Sequence, residues 1–125
     1  MKEEFIYYLW ENRLLHLDLK TTDNEEITIL SVGIRNHDSG ADFVNARIKI
    51  GDALWAGQVE IHVRASDWFK HNHQNDANYD SVILHVVYEN DTDCFINIVG
   101  FFFFGIGFLV VNLLVAFRIL RLSHG

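Results

Sequence analysis

Carboxylates and imidazoles crowd one stretch of the chain, WAGQVEIHVRASDWFKHNHQND from Trp55 to Asp76. Glu60 and His62 stand two apart, and His71, His73 and Asp76 follow closely. Residues i and i+2 of a strand project from one face, so a strand here presents Glu60 and His62 side by side. Such a pair can ligate a divalent cation, or divide ligation and proton transfer between its members. His71, His73 and Asp76, completed by His62 or His85, make a nitrogen-and-oxygen set of the kind zinc accepts. The competing account is structural: a strand followed by a solvated polar turn, with His85 buried among valines. Asp42 strengthens the chemical account. It lies at the start of the preceding strand, after a glycine-containing turn, where a hairpin would bring its carboxylate beside Glu60.

The elements that must position these groups are legible from periodicity. Phe5, Ile6, Leu9, Trp10, Leu14 and Leu17 recur at helical spacing, predicting an amphipathic helix over Lys2 to Leu17. Glu3 and Glu4 sit in its first turn, where negative charge suits the helix dipole. A strand is expected over Ile27 to Val32 and another over FVNARIKI, with Val44, Ala46, Ile48 and Ile50 inward. GDALWAG reads as a turn, although Leu54 and Trp55 could extend a strand through it. QVEIHVR alternates again, with Val59, Ile61 and Val63 opposite Glu60, His62 and Arg64. Ser66 is placed to cap a short helix from Asp67, KHNHQNDANYD reads as loop, and SVILHVVYE as a strand buried on both faces. Trp10, Trp55 and Trp68 read as core or turn packing. The order is helix, three strands, a short helix or loop, and a strand, an α/β pattern.

The stretches GADF and QVEIH together resemble a variant of the PD-(D/E)XK nuclease signature. The resemblance implies that Asp42 and Glu60 hold Mg2+ or Mn2+ for phosphodiester hydrolysis, with nucleic acid as the partner. It also implies that Glu3 or Glu4 adds a further acid from the first helix. His62 stands at the lysine position, as general base or phosphate-facing donor; an imidazole is mostly neutral at pH 7 and lacks the fixed charge of lysine. A longer stretch, from NHDSGADF through WAGQVEIH and SDWFKHNHQND to VILHVVYEND, resembles an uncharacterised bacterial family known only as a domain of unknown function. That likeness runs from about Glu3 through Asp91. Three functional accounts stay open: a diverged metal-dependent nuclease, a zinc-binding domain using His62, His71, His73 and Asp76 without nuclease activity, and a non-enzymatic, membrane-anchored remnant.

Charge and hydropathy divide the chain. All 17 acidic residues and eight of the ten basic ones precede Cys94, which gives the front part a formal charge of −9. That balance argues against nonspecific nucleic-acid binding by bulk charge, but leaves room for a cation that neutralises carboxylates locally. One cysteine excludes a disulfide framework and any cysteine-based zinc cluster; a buried or membrane-embedded thiol is expected of Cys94. From Cys94 to Phe117 no residue is charged, a length that suffices for a transmembrane helix. The expected organisation is therefore a domain over 1–93, truncated or frame-shifted relative to the family, an apolar helix over 94–117, and a basic tail over 118–125. A single-pass membrane protein with a cytoplasmic front domain follows, or a cytoplasmic protein if the tail is not inserted.

Overall fold

The computed structural model describes residues 2–13, 15–16, 19–20, 24–102 and 108–113, with side chains over 2–13 and 24–95. The first helix, α1 (Glu3–Glu11), buries Ile6, Tyr7, Leu9 and Trp10, and leaves Phe5 39% exposed. Tyr7 thus takes the inward place that helical spacing assigns to Phe5. The helix stops earlier than the expected Leu17. Arg13 turns left-handed at φ 54°, and the chain then enters β1 (Leu15–His16) and β2 (Leu19–Lys20). There follow β3 (Glu26–Ser31), β4 (Ile34–Arg35), β5 (Phe43–Ile50) and β6 (Ala53–Arg64). After the short helix α2 (Asp67–Lys70) come two 3-10 turns, His73–Asn75 and Ala77–Tyr79, then β7 (Val82–Glu89), β8 (Ile96–Phe102) and β9 (Phe108–Leu113).

The strands form one mixed sheet in the order β1-β8-β9-β7-β6-β5-β3-β2, with β4 beside β5. β6 and β7 run parallel, and the other pairs are antiparallel. Val59, Ile61, Leu84 and Val86 pack with α1 in the larger core. The opposite side of β6 and β7 meets a second cluster that includes Trp68, Val87 and Phe95. Leu54 and Trp55 do extend β6, because the hairpin with β5 is closed by Gly51 and Asp52 alone. Gly51 has φ 55° there, the positive value such tight loops require at their first central residue.

A bulge in β5 decides where the site lies. From Ala46 to Ile50 the partners are Gly57 to Ala53, but Phe43 pairs with Val59, one residue out of that register. Asn45 absorbs the extra residue at φ 60°. Phe43 is therefore buried with Ala46, Ile48 and Ile50, and Val44, expected inward from alternation, is only half-buried. The shifted register continues to set Asp42 opposite Glu60. Without the bulge Asp42 would face Ile61 and project from the other side, since a one-residue slip exchanges the faces.

The apolar segment departs most from expectation. Its described parts, Ile96–Phe102 and Phe108–Leu113, are strands paired with one another, and β9 also pairs with β7. Among the described residues no helix is long and apolar enough to cross a membrane. An uncharged run satisfies a buried strand pair as well as a spanning helix, and Ile96, Ile98, Val99, Val110 and Val111 supply the β-branched side chains that favour strands. Residues 103–107 and 114–125, including the rest of the expected helix and the basic tail, lie outside the described residues. β9 pairs along the side of β7 away from β6, so that edge of β7 is covered. Cys94 is exposed rather than buried. Ser66 makes no side-chain cap to α2; its Oγ donates instead to Asp91 Oδ2 at 2.6 Å, and its backbone N–H donates to Asp91 Oδ1 at 2.8 Å.

Candidate metal centre

The carboxylates of Asp42 and Glu60 are each held by a backbone N–H of the opposite segment. The Asp42 N–H donates to Glu60 Oε1 at 3.2 Å, and the Ile61 N–H donates to Asp42 Oδ2 at 2.8 Å. These bonds fix both carboxylates at the bulged end of the β5–β6 pair. Helix α1 adds a third acid there. Tyr7 Oη lies 2.7 Å from Glu3 Oε1 and 2.9 Å from Asp42 Oδ1, and its single proton serves one of them at a time. Arg35 stacks over the Tyr7 ring at 4.1 Å, which steadies the phenol. Glu3 is thus tethered to the site, whereas exposed Glu4 contacts Arg35 at 3.6 Å.

Histidines close the other side of Glu60. Its Oε2 lies 2.9 Å from His73 Nε2 and 3.5 Å from His62 Nε2. The His73 contact lacks the alignment of a hydrogen bond, and neither ring nitrogen of His73 has another hydrogen-bond partner. The His73 ring is stacked on Tyr79 at 3.7 Å and meets the edge of Trp68 at 5.3 Å, so packing sets its orientation. His71 is exposed at the rim, with its ring 5.1 Å from that of His62. One donor nitrogen from each of His62, His71 and His73 falls within 4.8 Å of the others, a group that could hold a metal ion. Beneath them, fully buried His85 places Nε2 at 2.7 Å from His62 Nδ1. Asp76 does not join this group. Its carboxylate turns back on its own loop and accepts the Asn78 N–H at 2.9 Å.

Burial makes the electrostatics of this centre one-sided. Desolvation, and then the neighbouring Asp42 carboxylate, push Glu60 up to about 10. Glu3 is raised by burial against the lowering effect of its Tyr7 bond. Burial raises the Tyr7 hydroxyl too, as do Glu3 and Asp42 beside it. His62 is lowered to about 4 by burial and by His73 and His71, and His73 is lowered by burial and by His71. Burial holds His85 well below the ordinary histidine range. Burial therefore favours the neutral imidazoles of His62, His73 and His85, the form that ligation requires. A cation would remove the penalty that the crowded acids carry.

The chain thus brings together Glu3, Asp42, Glu60, His62, His71 and His73 from α1, β5, β6 and the loop after α2. Tyr7 is the contributor not singled out from the sequence. Tyr7 carries the spacing of four from Glu3 that puts side chains in contact on a helix. His85, expected as one way to complete a zinc set, instead lies against His62 Nδ1 beneath the group. Comparison with curated proteins and with solved structures gives no match. A family model does match residues 3–98, past Asp91 and into the start of β8, and on that match the chain belongs to a family described as protein of unknown function, DUF2851.

Proposed function

We propose that this domain is a metal-dependent hydrolase acting on phosphodiesters, with Asp42 and Glu60 as cation ligands. The observation that carries the reading is the mutual clamp between β5 and β6, in which each acid is fixed by the backbone of the other strand. Two oxygen ligands of this kind suit Mg2+ or Mn2+, which keep several waters and share their remaining positions with phosphate oxygens. Such a cation supplies an activated water and neutralises charge that develops on the phosphate. Glu3, carried to Asp42 by Tyr7, is the supporting acid. His62 presents its Nε2 on the same side of β6 as Glu60 and gives the centre an imidazole nitrogen. The resemblance of GADF and QVEIH to the PD-(D/E)XK pattern supports nucleic acid as the substrate class, by analogy of placement.

Negative net charge is consistent with this reading when the cation recruits the phosphate, because attraction is then local. The test is cleavage of labelled DNA and RNA by the full chain with Mg2+ or Mn2+, beside Asp42→Asn and Glu60→Gln. Cleavage by the wild type alone supports the reading. A folded wild type that binds Mn2+ and cleaves neither polymer would overturn the substrate class.

A further inference from the structure

Glu60 faces two ways. Its Oε1 lies on the Asp42 side, against the Asp42 N–H at 3.2 Å, while Oε2 lies among the imidazoles. A tetrahedral ion with bonds of about 2.0–2.1 Å sets its ligand atoms about 3.3 Å apart. The separations of Glu60 Oε2 from His73 Nε2 and His62 Nε2, 2.9 and 3.5 Å, bracket that edge. His73 is only 8% exposed, and its nitrogens have no hydrogen-bond partner, an expensive state for a buried polar ring unless something else occupies it. His71 adds a third nitrogen from the solvent side, where an ion could enter.

The underlying layer fits the same purpose. Ligating histidines commonly donate their second ring N–H to a fixed acceptor, which sets tautomer and orientation. His62 Nδ1 meets His85 Nε2 at 2.7 Å, leaving Nε2 as the nitrogen directed at Glu60. We propose that Glu60 is a shared ligand: with His62, His71 and His73 it completes a site for a borderline transition metal such as Zn2+, beside the oxygen site it forms with Asp42. The centre then takes two unlike cations, one selected by nitrogen and one by oxygen ligands. This rests on the reading of Asp42 and Glu60 as cation ligands.

The test uses the full chain loaded with Co2+, a spectroscopic stand-in for Zn2+, and with Mn2+, each followed by visible absorption and calorimetry. His71→Ala is the informative variant because His71 is exposed and its loss leaves the core intact. The expected wild-type result is one Co2+ with the intense visible bands of tetrahedral ligation, plus one Mn2+ bound without displacing it. His71→Ala should weaken Co2+ binding at least about tenfold and lose those bands while retaining Mn2+. Asp42→Asn should lose Mn2+ and keep Co2+. Co2+ binding and bands unchanged in His71→Ala, or Co2+ and Mn2+ competing for one equivalent, would overturn the shared-ligand proposal and leave the oxygen site standing. Failure of the wild type to take up Mn2+ would instead overturn the hydrolase reading on which the proposal rests.

Discussion

Between Val59 and His62 the two faces of β6 are both closed to solvent and chemically opposite. Val59 and Ile61, fully buried, join α1 and β7 in the main core. Glu60 and His62, 4% and 2% exposed, are buried against a third carboxylate and further imidazoles. One face gains free energy from burial, because apolar area leaves water. The other carries desolvated acids crowded against imidazoles, which a folded chain sustains only if the rest of the fold holds them there. The contrast separates the face that stabilises this domain from the face that gathers its acids and imidazoles.

Substitutions at four positions sharpen the contrast, from the largest expected effect down. Ile61→Ala should destabilise the fold by about 2–5 kcal/mol in urea unfolding. Below its transition the variant should still take up Mn2+, because its side chain points away from the carboxylates. Glu60→Gln should do the reverse. Without metal it should gain about 1–3 kcal/mol, and it should lose the rise in melting temperature that saturating cation gives the wild type.

The pH profile carries the sign. Burial and the neighbouring Asp42 push Glu60 up to about 10 in the folded chain, while the unfolded chain releases its proton near 4.5. Its contribution is fully present below 4.5 and declines as pH rises through 10, by at most about 1.4 kcal/mol per pH unit. His62 acts oppositely. Lowered to about 4, its contribution is present above 6.5 and lost as pH falls through 4. Metal-free stability should therefore decline on the alkaline side of 6.5 in the wild type and decline less steeply there in Glu60→Gln, as read by urea titration across pH.

The bulge gives the third effect. Asn45 sits at φ 60°, so Asn45→Val should cost about 1–2 kcal/mol and weaken Mn2+ uptake by letting β5 slip toward a register that turns Asp42 away. Asn45→Gly should preserve both properties, and thermal melts with matched titrations would show it. Tyr7→Phe should have the smallest effect. Loss of the hydroxyl that links Glu3 to Asp42 should cost about 0.5–1.5 kcal/mol and weaken cation affinity, measured by calorimetry, with the core unchanged.

Much of this arrangement was legible in the sequence where periodicity is strong. The alternation of QVEIHVR set Glu60 and His62 on one face, and the apolar run SVILHVVYE marked a strand covered on both sides. The juxtaposition of Asp42 with Glu60 was expected from a hairpin, but the expected register put Val44 inward. The Asn45 bulge, which no propensity signals, puts Phe43 there instead. The length of the uncharged run from Cys94 predicts a helix, whereas its described parts, β8 and β9, extend the sheet beyond β7. Hydropathy reports that a segment avoids water, and only pairing partners distant in the chain determine how. The tie from Tyr7 to Asp42 and the contact of His85 with His62 span 35 and 23 residues, so no local pattern could announce them.

The most direct test of the central claim is calorimetric titration of the full chain with Mn2+, beside Asp42→Asn and Glu60→Gln shown to be folded by circular dichroism. The account predicts that the wild type binds and that each substitution, although it conserves shape, abolishes binding. Undiminished Mn2+ affinity in Asp42→Asn, or no binding by the folded wild type, would contradict the assignment of these two acids as cation ligands.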